Sequence, residues 1–211
     1  MRQDKAVDAV ATGDGGAGGA PTADEPRTRI LDAAEKLFYD RGIQAVGMDE
    51  LRTAAGVSLK RLYGCFPSKS DLVAAYLERR DLRWRAALAA HVGERAATPE
   101  DGLSAVFDWL HTWFAAPDFR GCAFINSFGE LGATSEAVAS AARRHKKALL
   151  DYLTGLARDL GAPEPDVLGG QLALLVDGAI TSAALSGSPD AARWARQAAR
   201  VLVAAEASPA G

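Results

Sequence analysis

Histidine and cysteine are scarce in this chain, at three and two among 211 residues. Cys65 and Cys122 are too few for a disulfide framework and suit a reducing cytoplasm. His91, His111 and His145 stand so far apart that metal chemistry would need a scattered set of ligands. Also lacking are an HExxH pair, a nucleophile with a paired histidine, a glycine-rich phosphate loop and a carboxylate cluster. An enzyme built on a helical bundle is therefore disfavoured, and no cofactor is expected. No run of 18 or more apolar residues appears, so no membrane span is expected. The N-terminus has no charged start followed by an apolar core, and no secretory signal is expected either.

What remains is the composition of an ordinary soluble protein, 48% hydrophobic and 24% charged. The length allows one large domain or two modest ones. A net charge of −3 argues at first against nucleic acid, but its distribution softens that objection. Residues 1–26 carry −3, residues 27–72 carry +2 and the remainder −2. DNA affinity follows the local basic face rather than the whole-chain charge.

Residues 1–26 are rich in Gly, Ala, Asp and Thr without apolar periodicity, and a disordered tail is expected there. Beyond it, Ile30, Leu31, Ala34, Leu37 and Phe38 recur at helical spacing, with Gly42 as the stop. No convincing period-2 run follows, so the fold class is all-α. The pattern predicts helices over 27–41, 48–55, 58–64, 69–92, 100–115, 122–131, 136–160, 165–186 and 190–205. Pro99, Pro117, Pro163, Pro165 and Pro189 fall at the breaks or in first turns, where proline is tolerated.

The stretch from Met48 to Leu72 carries the chemistry. Met48, Leu51 and Ala55 make one apolar face, and Gly56 sits where a helix ends with positive φ. Val57 pins the turn, and Ser58 caps the next helix. Leu59, Leu62 and Phe66 read first as anchors to the core, while Lys60, Arg61 and Tyr63 offer polar ends to a groove. Arg52 reads equally as a surface charge. Ser68 is a second cap, and Lys69 in the following first turn opposes the helix dipole unless it faces a phosphate.

The stretch Thr28–Leu72 resembles the DNA-binding domain of the TetR family of bacterial one-component repressors. Arg29-Ile-Leu-Asp-Ala-Ala-Glu-Lys-Leu-Phe38 matches its first helix, Ala55-Gly-Val-Ser58 its turn, and Leu62 to Leu72 its L-Y-x-x-F-x-S-K-x-x-L closure. Two departures stand out. Gly64-Cys65 replaces an aromatic or histidine before the Phe, and Gly64 is expected to end the recognition helix early. Val46-Gly47 replaces the usual hydroxyl residue, so a cap and phosphate contact are missing at the second helix. The resemblance places Thr28, Arg52, Ser58, Leu59, Lys60, Arg61, Tyr63 and Lys69 at the DNA.

It also implies a C-terminal domain, residues 73–211 after a reading domain at 27–72, that binds an effector and forms a homodimer. Aromatic-rich apolar faces suit a small-molecule cavity or plain core. The candidates are Trp84, Leu88, Phe107, Leu110, Trp113, Phe114, Phe124, Ile125, Phe128, Leu149 and Tyr152, with His145 and Asn126 as polar contacts. Cys122 joins them at a helix start near Arg120, an arrangement that favours a thiolate. For the dimer, Leu168, Leu172, Leu175, Val176, Ala179, Ile180 and Ala183 line a helix read as buried on all sides, partnered by Trp194, Ala198, Val201 and Leu202. The implied function is a cytoplasmic homodimeric repressor, held on palindromic operator DNA and released by a small molecule.

Overall fold

The computed structural model describes residues 25–206. Their regular structure is helical throughout: α1 (Glu25–Arg41), α2 (Met48–Ala54), α3 (Leu59–Cys65), α4 (Lys69–Arg95), α5 (Pro99–Phe114), α6 (Ala123–Leu131), α7 (Glu136–Asp159), α8 (Pro165–Ser186) and α9 (Asp190–Glu206). Every expected helix is present, with ends displaced by less than one turn. The local signals explain why. Thr98 and Asp101 form a capping box with Pro99 in the first turn of α5, and Gly187 ends α8 at φ 69°.

Two local expectations are corrected. α1 begins at Glu25 with Pro26 buried in its first turn, so the tail assignment fails for those two residues; the rest of it lies outside the described residues. Gly64 does not end α3. The helix runs through Gly64 to Cys65 and stops at Phe66, which is extended at φ −138°. The following Pro67 disfavours helical geometry at Phe66, and the buried Phe66 ring holds the exit in place.

The chain groups into two compact units, residues up to 83 with 123–143, and residues 84–122 with those from 144 onward. In the first, α1, α2 and α3 pack on one another around Ile30, Ala34, Phe38, Leu51, Leu62 and Phe66. Phe38 meets Tyr76 of α4 edge-on at 5.6 Å. Alongside this core, the Glu35 carboxylate accepts from Arg79 at 2.8 Å, Arg80 at 3.3 Å and Arg83 at 3.1 Å. Asp32 takes Arg79 as well, at 2.7 Å. The Arg80 guanidinium also lies 3.8 Å over the Tyr39 ring.

In the second unit α5, α8 and α9 pack together. Leu168, Leu172, Val176, Ala179, Ile180 and Ala183 are buried inside the chain itself, which corrects their assignment to a dimer surface. They are consumed by the unit's own core. Leu175 is half-buried. α8 is not buried on all sides either, since Leu174 and Leu185 project into solvent. By length and composition α8 is also apolar enough to span a bilayer, with a mean hydropathy of 1.4, although Asp166, Gln171 and Asp177 interrupt it and leave no continuous apolar run of that length. Its buried side packs on α5 and α9, and its Asp177 carboxylate receives Lys146 at 2.5 Å.

Candidate nucleic-acid interface

The reading unit is assembled by short-range chemistry. Gly56 turns the chain at φ 62°, a conformation that costs glycine nothing. Ser58 then accepts the Arg61 backbone N–H at 3.2 Å and caps α3, as its position predicted. α2 starts at Gly47 without a side-chain cap, in line with the missing hydroxyl. Leu62 and Phe66 turn inward. Lys60 and Arg61 stay exposed, joined by Tyr63 at 45% and Leu59 at 43% exposure. Leu59 was read first as a core anchor and is corrected to a surface residue; Leu62 alone faces inward from this turn. Among the described residues neither Lys60 nor Arg61 is held in an ion pair, so both charges are free to meet phosphate.

The other expected contacts are distributed differently. Thr28 is exposed near the start of α1. Arg52 binds Asp49 at 2.6 Å. Lys69 donates to the Ile43 carbonyl at 2.6 Å and lies 5.9 Å from the Phe38 ring, an inward use of one of its three donors. Ser68 caps α4 by accepting from the Asp71 N–H at 3.1 Å.

Sequence reasoning missed Glu130 of α6. Its carboxylate accepts the Ile43 N–H at 3.1 Å and the Gln44 N–H at 2.9 Å, and its carbonyl accepts the Gln44 amide at 2.6 Å. Together with Lys69 it fixes the loop between α1 and α2. Gly42 makes this approach possible: a Cβ there would stand 2.9 Å from the Glu130 Oε1. A separation of 86–87 residues left no local signal for it.

The expected effector residues divide between the units. Trp84, Leu88, Phe107, Leu110, Trp113, Phe114, Cys122, His145, Leu149 and Tyr152 fall in the second, and Phe124, Ile125, Asn126 and Phe128 in the first. Phe124 is buried, while Ile125, Asn126 and Phe128 are exposed. In the second unit Trp84 meets Trp109 at 5.0 Å, Trp113 at 5.8 Å and the buried His145 ring at 5.2 Å, each edge to face. Trp113 continues to Phe119 at 5.1 Å. Trp109 and Phe119 were missed, although Trp109 stands one turn before Trp113. Cys122 is buried, and burial pushes the Tyr152 hydroxyl above its ordinary pKa.

A three-helix unit with a capped, outward-facing recognition helix and unengaged basic ends defines a helix-turn-helix DNA-binding regulator. The comparisons with known proteins agree. Residues 30–76 match the family described as bacterial regulatory proteins, tetR family. A TetR-family transcriptional regulator from Streptomyces coelicolor superposes with a TM-score of 0.82 at 30% identity, covering 89% of this chain and 92% of that one. A TetR-type regulator from Streptomyces avermitilis gives 0.69 at 31% identity, covering 83% and 98%. The chain belongs to the TetR family of transcriptional regulators, and it is not an enzyme. The HTH-type transcriptional activator FasR of Mycolicibacterium smegmatis is 50% identical over 56 residues, 26% of each chain. The chain thus spans about a quarter of the length of the first curated relatives it matches. The HTH-type transcriptional repressor ComR of Escherichia coli is 31% identical over 115 residues, 54% of this chain and 55% of that one.

Proposed function

We propose that this regulator is a cytoplasmic homodimeric repressor that holds a palindromic operator and releases it when a small molecule enters the second unit. The observation that carries the reading is the free face of α3. Lys60 and Arg61 supply charge for phosphate and base edges, Tyr63 a hydroxyl, and Leu59 an apolar contact of the kind that suits a thymine methyl. Pairing of two chains uses apolar residues that one chain leaves uncovered, Leu174 and Trp194, with Ala198 and Leu202 beside them. A two-fold axis then sets the two α3 helices about 34–36 Å apart, or a multiple of that. The effector is an aromatic or apolar molecule lodged against Trp84, Trp109 and Trp113, with His145 as its polar partner. It acts by binding better to the conformation whose α3 spacing does not fit DNA, and that difference in affinity sets the extent of release.

The test is a mobility-shift titration on the DNA upstream of the chain's own gene. A sequence-specific shift at low salt is expected, and Arg61→Ala with Tyr63→Ala is expected to abolish it. Arg61→Ala alone should flatten the salt dependence by about one unit of slope. A wild-type chain that gives no specific shift at low salt refutes the reading. Because FasR is named an activator, a promoter-reporter strain lacking the chain decides the sign: expression rises if the chain represses and falls if it activates.

A further inference from the structure

A groove on the second unit is lined by Phe107, Asp108, His111 and Thr112 of α5 and by Ala192, Arg193, Arg196, Gln197, Arg200, Val201 and Ala204 of α9, and encloses about 960 Å³. That volume is in the range of a small-molecule site. Its lining is unusual for this chain. Three arginines face one acidic residue, Asp108, giving the groove +2 on a chain whose net charge is −3. Arg193, Arg196 and Arg200 follow one another at steps of three and four residues, so their guanidiniums share one face of α9. Like charges at that spacing repel and weaken a helix. Asp108 relieves Arg196 at 2.7 Å and Asp190 relieves Arg193 at 3.4 Å. Among the described residues, no carboxylate pairs with Arg200. Phe107 and Ala192 close the groove from below and are buried, and Val201 and Ala204 present exposed apolar surface at its rim.

We propose that this groove binds an amphiphilic organic anion, with a carboxylate or sulfonate head bridging Arg196 and Arg200 and a short apolar body along Val201 and Ala204 at the rim. The head supplies the counter-charge that Arg200 lacks, and the fork geometry of two guanidiniums suits a two-oxygen anion. The Thr112 hydroxyl and the His111 imidazole add polar contacts on the α5 side. The site is separate from the tryptophan cluster proposed for the effector, and it does not depend on whether the chain represses.

The probe is anilinonaphthalene sulfonate, titrated into the full chain and followed by its fluorescence. Saturable binding is expected, displaced by octanoate and not by octylammonium. Arg200→Glu is expected to weaken the probe by about tenfold or more, the scale of one charge-assisted contact. Ala204→Trp, which fills the groove without altering its charge, is expected to do the same. Arg144→Ala, an exposed arginine outside the groove, is expected to leave binding unchanged. Each variant is checked for native far-ultraviolet circular dichroism and for oligomeric state; should Arg200→Glu fail to fold, Ala204→Trp decides. The proposal is overturned by the absence of saturable binding, or by binding that both groove variants leave intact. It is equally overturned if the probe binds only to diluted, monomeric chain, because a second copy then covers the groove.

Discussion

Glu35→Gln removes one charge at the point where three guanidiniums converge. Glu35 is only 13% exposed and holds Arg79, Arg80 and Arg83 from the next long helix, with Arg80 at 10% and Arg79 at 16%. At 2.8 Å and an effective dielectric of about 20, one such contact is worth about 6 kcal/mol of gross attraction. Desolvation offsets much of this, so the net value of the intact network is far smaller. Removing the anion alone is another matter, because the partly buried cations keep their desolvation cost and lose its compensation. The usual penalty is about 3–5 kcal/mol. Arg83 is 42% exposed and Asp32 still holds Arg79, so the lower end, about 3 kcal/mol, applies here. For a chain of this size that lowers Tm by about 6–12 °C. Urea and thermal unfolding followed by circular dichroism measure both quantities. Asp32→Asn is the control: its carboxylate is 57% exposed, and the loss should stay below about 1 kcal/mol. A Glu35→Gln change within about 0.5 kcal/mol of wild type, or one no larger than Asp32→Asn, refutes the buried-network argument.

Adjacent glycines of α8 should respond with opposite signs. A Cβ at Gly169 would stand 2.8 Å from the Thr154 Cα, whereas at Gly170 it meets nothing within 4 Å. Gly169→Ala should therefore cost about 1–3 kcal/mol, while Gly170→Ala gains about 0.5–1 kcal/mol of helix propensity, both read from urea midpoints. Glu130→Gln removes one of two acceptors from the loop amides, and Ile43 and Gln44 should exchange their amide protons about tenfold faster, an opening about 1.4 kcal/mol cheaper. Burial first, then Arg95, lowers the His91 pKa from 6.5, so the unfolded chain takes up this proton more readily than the folded one. The stability held at neutral pH is lost as pH falls below 6.5 toward the folded-state value. A series of urea midpoints from pH 7 to 5 should decline less steeply in His91→Gln than in wild type.

The helices were legible because their ends are written locally. Pro99 and Thr98 start α5, Ser58 and Ser68 cap α3 and α4, and Gly42, Gly56 and Gly187 turn the chain at positive φ. The reading face was legible for the same reason, since Lys60, Arg61 and Tyr63 sit on one short helix whose inward residue is Leu62. What escaped was everything decided at long range. Glu130 reaches its loop across 86–87 residues and Glu35 its arginines across 44–48, so neither contact has a spacing to betray it. The apolar residues of α8 show the complementary limit. Periodicity marks Leu172 and Val176 as covered, but whether the cover is α5 and α9 or another chain is a matter of packing. Leu59 erred in the other direction, because a leucine's apolar character says nothing about which side of a two-turn helix it occupies.

The tryptophans give the molecule two optical channels. Trp84, Trp109 and Trp113 are close enough to pass excitation from ring to ring, at 5.0, 5.8 and 5.4 Å. Trp84 is buried and Trp109 and Trp113 are half-buried, so their shared emission should lie to the blue of a fully hydrated indole and should change when a molecule settles against any of them. Trp194, the fourth and last of the chain, stands 65% exposed on α9 and emits at the red, water-quenched edge. A second chain docking there should shift that edge to the blue and leave the inner band alone. Trp194→Phe subtracts one channel from the other, so ligand entry and chain pairing can be followed in one unlabelled sample.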